Sequence, residues 1–176
     1  MPLLRTATVL FLLFLAGPTL GQVVSEPQLK AAFMINFAKL ATWPDLAQTT
    51  PITLCTLGDD EVASTVAAMV QGQRVDGRPL AARRLAADAG WASCQLLFLG
   101  RTGGTRAVRL LDVAPDTLLT VSDEKGFASN GGMIEFFSEG SRLRFAVNRH
   151  EVDKSRVVLS SHLLQLARIV GDSRAR

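Results

Sequence analysis

Two short runs constrain this chain most: Ile52–Leu57 (ITLCTL) and Gln95–Leu99 (QLLFL), each followed by a glycine, Gly58 and Gly100. Apolar residues fill almost every position, with none of the alternation of a strand that wets one face. Such strands are stable only when both faces are covered, the situation of parallel strands inside an α/β sheet. Thr117–Asp123 (TLLTVSD) reads as a third. Helix-length stretches intervene, DEVASTVAAMV from Asp60 to Val70 and TRAVRLLDVA from Thr105 to Ala114. Strands alternating with helices of this length require crossover connections and a parallel sheet.

The flanking chain fits the same plan. Leu29, Ala32, Phe33, Asn36, Phe37 and Leu40 recur at three- and four-residue spacing. That predicts a helix with Pro27 in its first turn and Trp43-Pro44 as its stop. Asp59 or Asp60 caps the next helix. Turn residues in QGQRVDGRPLAARRL lead into a strand over about Leu80 to Leu85. After the third buried strand the pattern changes. MIEFF and SRLRFAVN, joined by SEG, predict an antiparallel hairpin, because Leu143, Phe145 and Val147 alternate with Arg142, Arg144 and Ala146. Asn148 and Ser160 are candidate N-caps, and Leu163, Leu164, Ala167 and Val170 predict a closing helix from Ser161. The expected fold is a single three-layer α/β domain, a mostly parallel sheet flanked by helices with a C-terminal antiparallel hairpin.

Residues 1–21 stand apart from that domain. Arg5 precedes an apolar stretch from Val9 to Ala16, then come Gly17-Pro18 and the small residues Thr19 and Gly21. This is the layout of a secretory signal peptide cleaved near Gly21. The apolar stretch is shorter than the ~18 residues a spanning helix needs, and no cysteine stands there to take a lipid. The domain is therefore expected over 22–176, about 155 residues and enough for one core. It is expected in the periplasm, with no membrane insertion after cleavage. In that oxidising compartment Cys55 and Cys94 are most simply a disulfide. The net charge of +3 is spread along the chain, apart from Arg168, Arg174 and Arg176 near the end. With no tyrosine and no basic run interleaved with aromatics, the chain has poor credentials for nucleic acid.

Catalytic machinery is hard to assemble from this inventory. His150 and His162 are the only histidines, in neither an HExxH nor a paired-His spacing. The two cysteines form no CxxC, and no GxSxG marks a nucleophile elbow. No catalytic residue, metal or cofactor is expected. Gly100-Arg101-Thr102-Gly103-Gly104-Thr105 lies between a strand and a helix, where helix N–H groups favour an anion. It matches neither a Walker loop nor GxGxxG.

In an open α/β sheet the default ligand position is the crevice at the carboxyl ends of the strands. Here Gly58, Asp59, Gly100, Arg101, Ser122 and Asp123 would line it. Trp43, Phe127 and Phe136 or Phe137 stand beside turn residues and are candidate contacts for a partner, although core burial is the commoner fate of any one aromatic. Alternation places Phe136 and Phe137 on opposite faces, so one points outward unless both faces are covered. GFASNGGMIEF, residues 126–136, leads into a hairpin rather than a helix. It reads as a corner of turn residues that aims Phe127 off the end of the parallel sheet.

Five segments in order, LKAAFMINFAKLATWP, ITLCTLGDD, LLTVSDEKGFASNGGMIEF, LRFAVN and SSHLLQLAR, resemble the YfiR family of periplasmic proteins. The resemblance covers nearly the whole chain after the signal peptide. Its specificity lies in the combination of helix-Trp-Pro, GFA-x-x-GGMI and N…SS-x-LL-x-LA. It implies a non-enzymatic repressor that binds the periplasmic sensor domain of an inner-membrane diguanylate cyclase. Loss of such a repressor raises cyclic di-GMP and promotes biofilm formation. The resemblance also implies a homodimer and an outer-membrane YfiB-type lipoprotein that draws the repressor away.

Cys55 and Cys94 fall where the resemblance puts the family's main disulfide. A further cysteine pair, present in some members beside GFA-x-x-GG, is missing from residues 126–137. Redox switching through that loop is accordingly not expected. Aligning the two buried strands at Gly58 and Gly100 sets Cys55 opposite Leu97, three residues from Cys94. At ~3.3 Å per residue the offset is ~10 Å, beyond the ~7 Å reach of a disulfide, so a bridge predicts staggered strands. The competing function is a small-molecule module that takes a nucleotide or other anion in the strand-end crevice beside Arg101.

Overall fold

The structure is a computed structural model and describes residues 24–86, 90–100 and 111–171. The expected signal peptide, Arg101 and most of the helix expected over Thr105–Ala114 lie outside the described residues. Helix α1 (Glu26–Leu40) opens on a capping box. Gln28 N donates to Ser25 Oγ and Ser25 N donates to Gln28 Oε1, which satisfies two N–H groups that a helix start leaves without partners. Pro27 sits in the first turn, where a missing N–H costs nothing. Before Trp43-Pro44 the chain becomes extended as β1 (Ala41–Thr42), paired antiparallel with β9 (Val158–Leu159).

The remaining elements follow as β2 (Ile52–Leu57), α2 (Asp60–Met69), β3 (Arg74–Val75), β4 (Arg78–Arg84), β5 (Leu96–Leu99) and β6 (Leu119–Ser122). Then come β7 (Ile134–Glu139), β8 (Arg142–Asn148), α3 (Arg149–Lys154), α4 (Ser161–Leu166) and β10 (Arg168–Val170). The main sheet has the order β10-β8-β7-β6-β5-β2-β4-β3. It is parallel from β4 through β2, β5 and β6 to β7, and β7–β8 is the expected antiparallel hairpin.

Burial on both faces shows in how β2 and β5 divide their side chains. Ile52, Leu54, Leu96 and Phe98 join residues of α1 and α2 in one apolar core. Their neighbours Cys55, Leu97 and Leu99 join Leu85, Leu118 and Phe127 in a second. Each such side chain contributes about 1.5–3 kcal/mol on burial.

Two expectations are corrected. First, β2 and β5 are not staggered: Cys55 lies beside Leu97 and Leu57 beside Leu99. The Cys55–Cys94 disulfide nevertheless forms, with Cα atoms 5.7 Å apart. Cys94 precedes β5, in a turn where its N–H donates to Trp91 O at 2.8 Å. The rise per residue of a strand does not apply in a turn, so the three-residue offset overstated the gap. Second, the closing helix stops at Leu166, and Arg168–Val170 run as β10 parallel to β8. The β-branched Ile169 and Val170 suit a sheet edge. Arg168 lies 3.9 Å from the Phe137 ring centroid and donates to Glu139 Oε1 at 3.1 Å. These contacts override the helical spacing.

The disulfide joins residues 39 apart and is almost inaccessible, with Cys55 0% and Cys94 4% exposed. Loop closure of that length predicts that replacing both cysteines with alanine lowers stability by about 3–4 kcal/mol in urea unfolding. Thiol titration should find no reaction of the native protein with dithiothreitol until denaturant opens it.

Candidate functional site

Strand β7 pairs with β6 only at Ile134 and Glu135, while its partner β8 follows it out to Glu139. The outer half of the hairpin thus overshoots the end of β6. Beside this overshoot, between the start of α1 and the turn after β6, runs a groove of about 570 Å³. Glu26, Lys30, Asp123, Lys125, Glu135, Phe136, Phe137 and Arg168 are among its lining residues. Its size falls within the range of about 300–1,000 Å³ typical of ligand sites.

At one wall a buried ion pair meets an exposed carboxylate. Lys30 Nζ lies 2.6 Å from Asp123 Oδ2 and 2.7 Å from Glu26 Oε1. The Lys30 and Asp123 side chains are 4% and 8% exposed, so water screens their attraction little. Burial by itself would lower the Lys30 pKa. The hydrogen bonds and charges of Asp123 and Glu26 outweigh it and raise the value above the ordinary 10.5. Lys30 is a fixed cation at neutral pH, not a base.

The glycine-rich turn forms the next wall, and it does cradle an anion: the chain's own Glu135. Gly126 N and Ala128 N donate to Glu135 Oε1 and Oε2, each at 3.0 Å. Asn148 Nδ2 donates to Ala128 O, and Asn148 Oδ1 accepts from Glu151 N at 3.2 Å, tying the turn to α3. Gly131 has φ +97°, a left-handed conformation that suits glycine. Gly132 is needed for space, since a Cβ there would stand 2.1 Å from a Phe127 ring carbon. The pair of glycines therefore lets Phe127 fold inward.

Of the residues expected to form a site, Asp123 and Phe136 reach the groove. Asp59 instead caps α2, its Oδ1 accepting from Glu61 N at 3.1 Å and Val62 N at 3.0 Å. A Cβ on Gly100 would lie 2.8 Å from Asp59 Cβ, so the crevice expected between β2 and β5 is closed by close packing. Ser122 is buried and donates to Leu99 O at 2.6 Å. The three aromatics expected at a contact surface are core residues: Trp43 is 4%, Phe127 2% and Phe136 3% exposed. Trp43 Nε1 donates to Thr117 O at 2.9 Å. Phe137 is the ring left half-buried on the other face, under Arg168. Arg101 lies outside the described residues.

Sequence reasoning missed Lys30, Glu135 and the position of Arg168. A signal existed for the first. Lys30 falls three residues before Phe33 and seven before Phe37, a charge placed in an apolar stripe.

Fold and groove define the class: a single α/β domain with a mixed eight-stranded sheet and an ion-paired groove where its hairpin overshoots. The family model described as YfiR/HmsC-like matches residues 27–168, and the chain belongs to that family. The family is one of periplasmic regulators of cyclic di-GMP signalling, regulatory rather than catalytic. No curated protein shows a significant match. Among the described residues no helix is long and apolar enough to cross a membrane.

Removing one member of a buried pair leaves the other uncompensated. Lys30→Met should therefore cost about 3–5 kcal/mol in chemical denaturation, and adding Asp123→Asn should recover part of it. The raised Lys30 pKa makes its contribution fully present below pH 10.5 and lost as pH rises through the folded-state value. On the alkaline side the stability gap between wild type and Lys30→Met should accordingly narrow only above pH 10.5.

Proposed function

We propose that this protein is a periplasmic repressor that binds the periplasmic sensor domain of an inner-membrane diguanylate cyclase and holds the cyclase inactive. The observation that carries the reading is the YfiR/HmsC-like match over residues 27–168. The chemistry of the groove supports it. Lys30, Asp123 and Glu135 are engaged with one another or with backbone N–H groups, an arrangement suited to recognition rather than proton transfer. The mature chain, 22–176 after cleavage near Gly21, acts as a homodimer, and an outer-membrane YfiB-type lipoprotein competes for it.

Repression requires unequal affinity for the two states of the cyclase, because a ligand that binds both alike shifts nothing. Moving the cyclase from 1:99 to 99:1 takes about a 10⁴-fold preference for the inactive state.

The competing reading, a module for a nucleotide or other anion in this groove, is disfavoured because Lys30 is already paired with Glu26 and Asp123, and Arg168 with Glu139. In a thermal-shift screen nucleotides and inorganic anions should leave the melting temperature unchanged.

Deleting the gene should raise cellular cyclic di-GMP and biofilm mass, and the tagged mature protein should capture a membrane diguanylate cyclase from detergent extracts. Unchanged cyclic di-GMP together with no captured cyclase would refute the repressor.

A further inference from the structure

At the other end of β5 and β6, where those strands begin, the turn after β1 borders a separate half-open cavity of about 160 Å³. Trp43, Pro44, Leu46 and Gln95 line it, together with the half-exposed ion pair Asp45–Arg156. The indole is held in place, buried and bonded through Nε1 to Thr117 O. Gln95 uses Oε1 to accept from Thr53 N at 2.8 Å, which leaves its Nε2 hydrogens as donors. Arg156 meets Asp45 through Nη2, one arm of a guanidinium that carries five N–H donors. None of these groups belongs to the groove, and the repressor reading uses none of them.

We infer that this cavity binds a small monocarboxylate with a compact apolar body. An apolar cavity of about 150 Å³ holds benzene, which sets the size of that body against Trp43, Pro44 and Leu46. The carboxylate pairs with Arg156, whose planar fork matches two oxygens, and Gln95 Nε2 is a further donor to it. Asp45 beside Arg156 cancels its one positive charge, so the site binds a carboxylate through the remaining N–H donors and has no net charge to hold a phosphate dianion.

Benzoate is the probe, with benzamide as its neutral isostere. The chain has two tryptophans, so Trp91→Phe leaves Trp43 as the single indole emitter. In that protein benzoate should change Trp43 emission saturably, with Kd on the order of 1 mM or below. Benzamide should bind at least about tenfold more weakly for want of the charge-assisted bond. Arg156→Gln should keep the wild-type melting temperature and lose the preference for benzoate. The same titration can be read from the NMR shift of the Trp43 indole N–H in the wild-type protein, should Trp91→Phe fail to fold. Absence of a saturable response, equal binding of benzoate and benzamide, or an undiminished preference in Arg156→Gln would each overturn the assignment. Because none of these readouts involves the cyclase, the result is independent of the repressor reading.

Discussion

Five phenylalanine rings hold α1 against the sheet, and the position of everything at the groove follows from them. Phe33 and Phe37 of α1 meet Phe136 and Phe145 of the hairpin with ring centroids 5.0 to 5.8 Å apart. Phe98 of β5 meets Phe136 at 6.3 Å. Stacked, tilted and edge-on contacts of this kind add about 0.5–1.5 kcal/mol per pair beyond the area buried. A helix fixed at two positions one turn apart is fixed everywhere, because its rise and rotation per residue are constant. Lys30 is thereby carried to Asp123 rather than to solvent. A buried ion pair gains enough from Coulomb attraction only when the geometry is good, and the aromatic cluster supplies that geometry.

The two ends of the sheet divide their labour on similar physical grounds. Where the hairpin overshoots β6, side chains neutralise one another: Lys30 with Asp123 and Glu26, Glu135 with the turn that precedes its strand. A surface so organised is rigid and polar over an aromatic floor, which suits recognition. At the start of β5 and β6 the chemistry is different. There a pinned indole and a half-exposed arginine border a small cavity. The glycine-rich turn read from the sequence as a corner also holds an anion, the internal carboxylate of Glu135.

Much of the fold was legible because its causes are local. Buried strands announced themselves as unbroken apolar runs, and Asp59, Asn148 and Ser160 stood as caps where side chains can reach the next N–H groups. The hairpin showed in the alternation from Arg142 to Val147. The site was harder to read. Asp123 was expected at a strand end and is there, but Asp59 and Gly100 press together and shut the crevice beside it. Nothing in the spacing of Trp43, Phe127 and Phe136 says which way a ring turns after a corner. Gly132, by making room for the Phe127 ring, turned it inward.

By itself the sequence determined the α/β class, the helix starts, the hairpin and the pairing of its two cysteines. Each follows from residue types within a few positions of one another, or from there being only one pairing to make. Tertiary structure decided where α4 stops, how Cys94 reaches Cys55 and which charges are buried. Those outcomes depend on distant contacts such as Lys30 with Asp123, 93 residues apart. Local periodicity carries no information about a partner that only folding brings near.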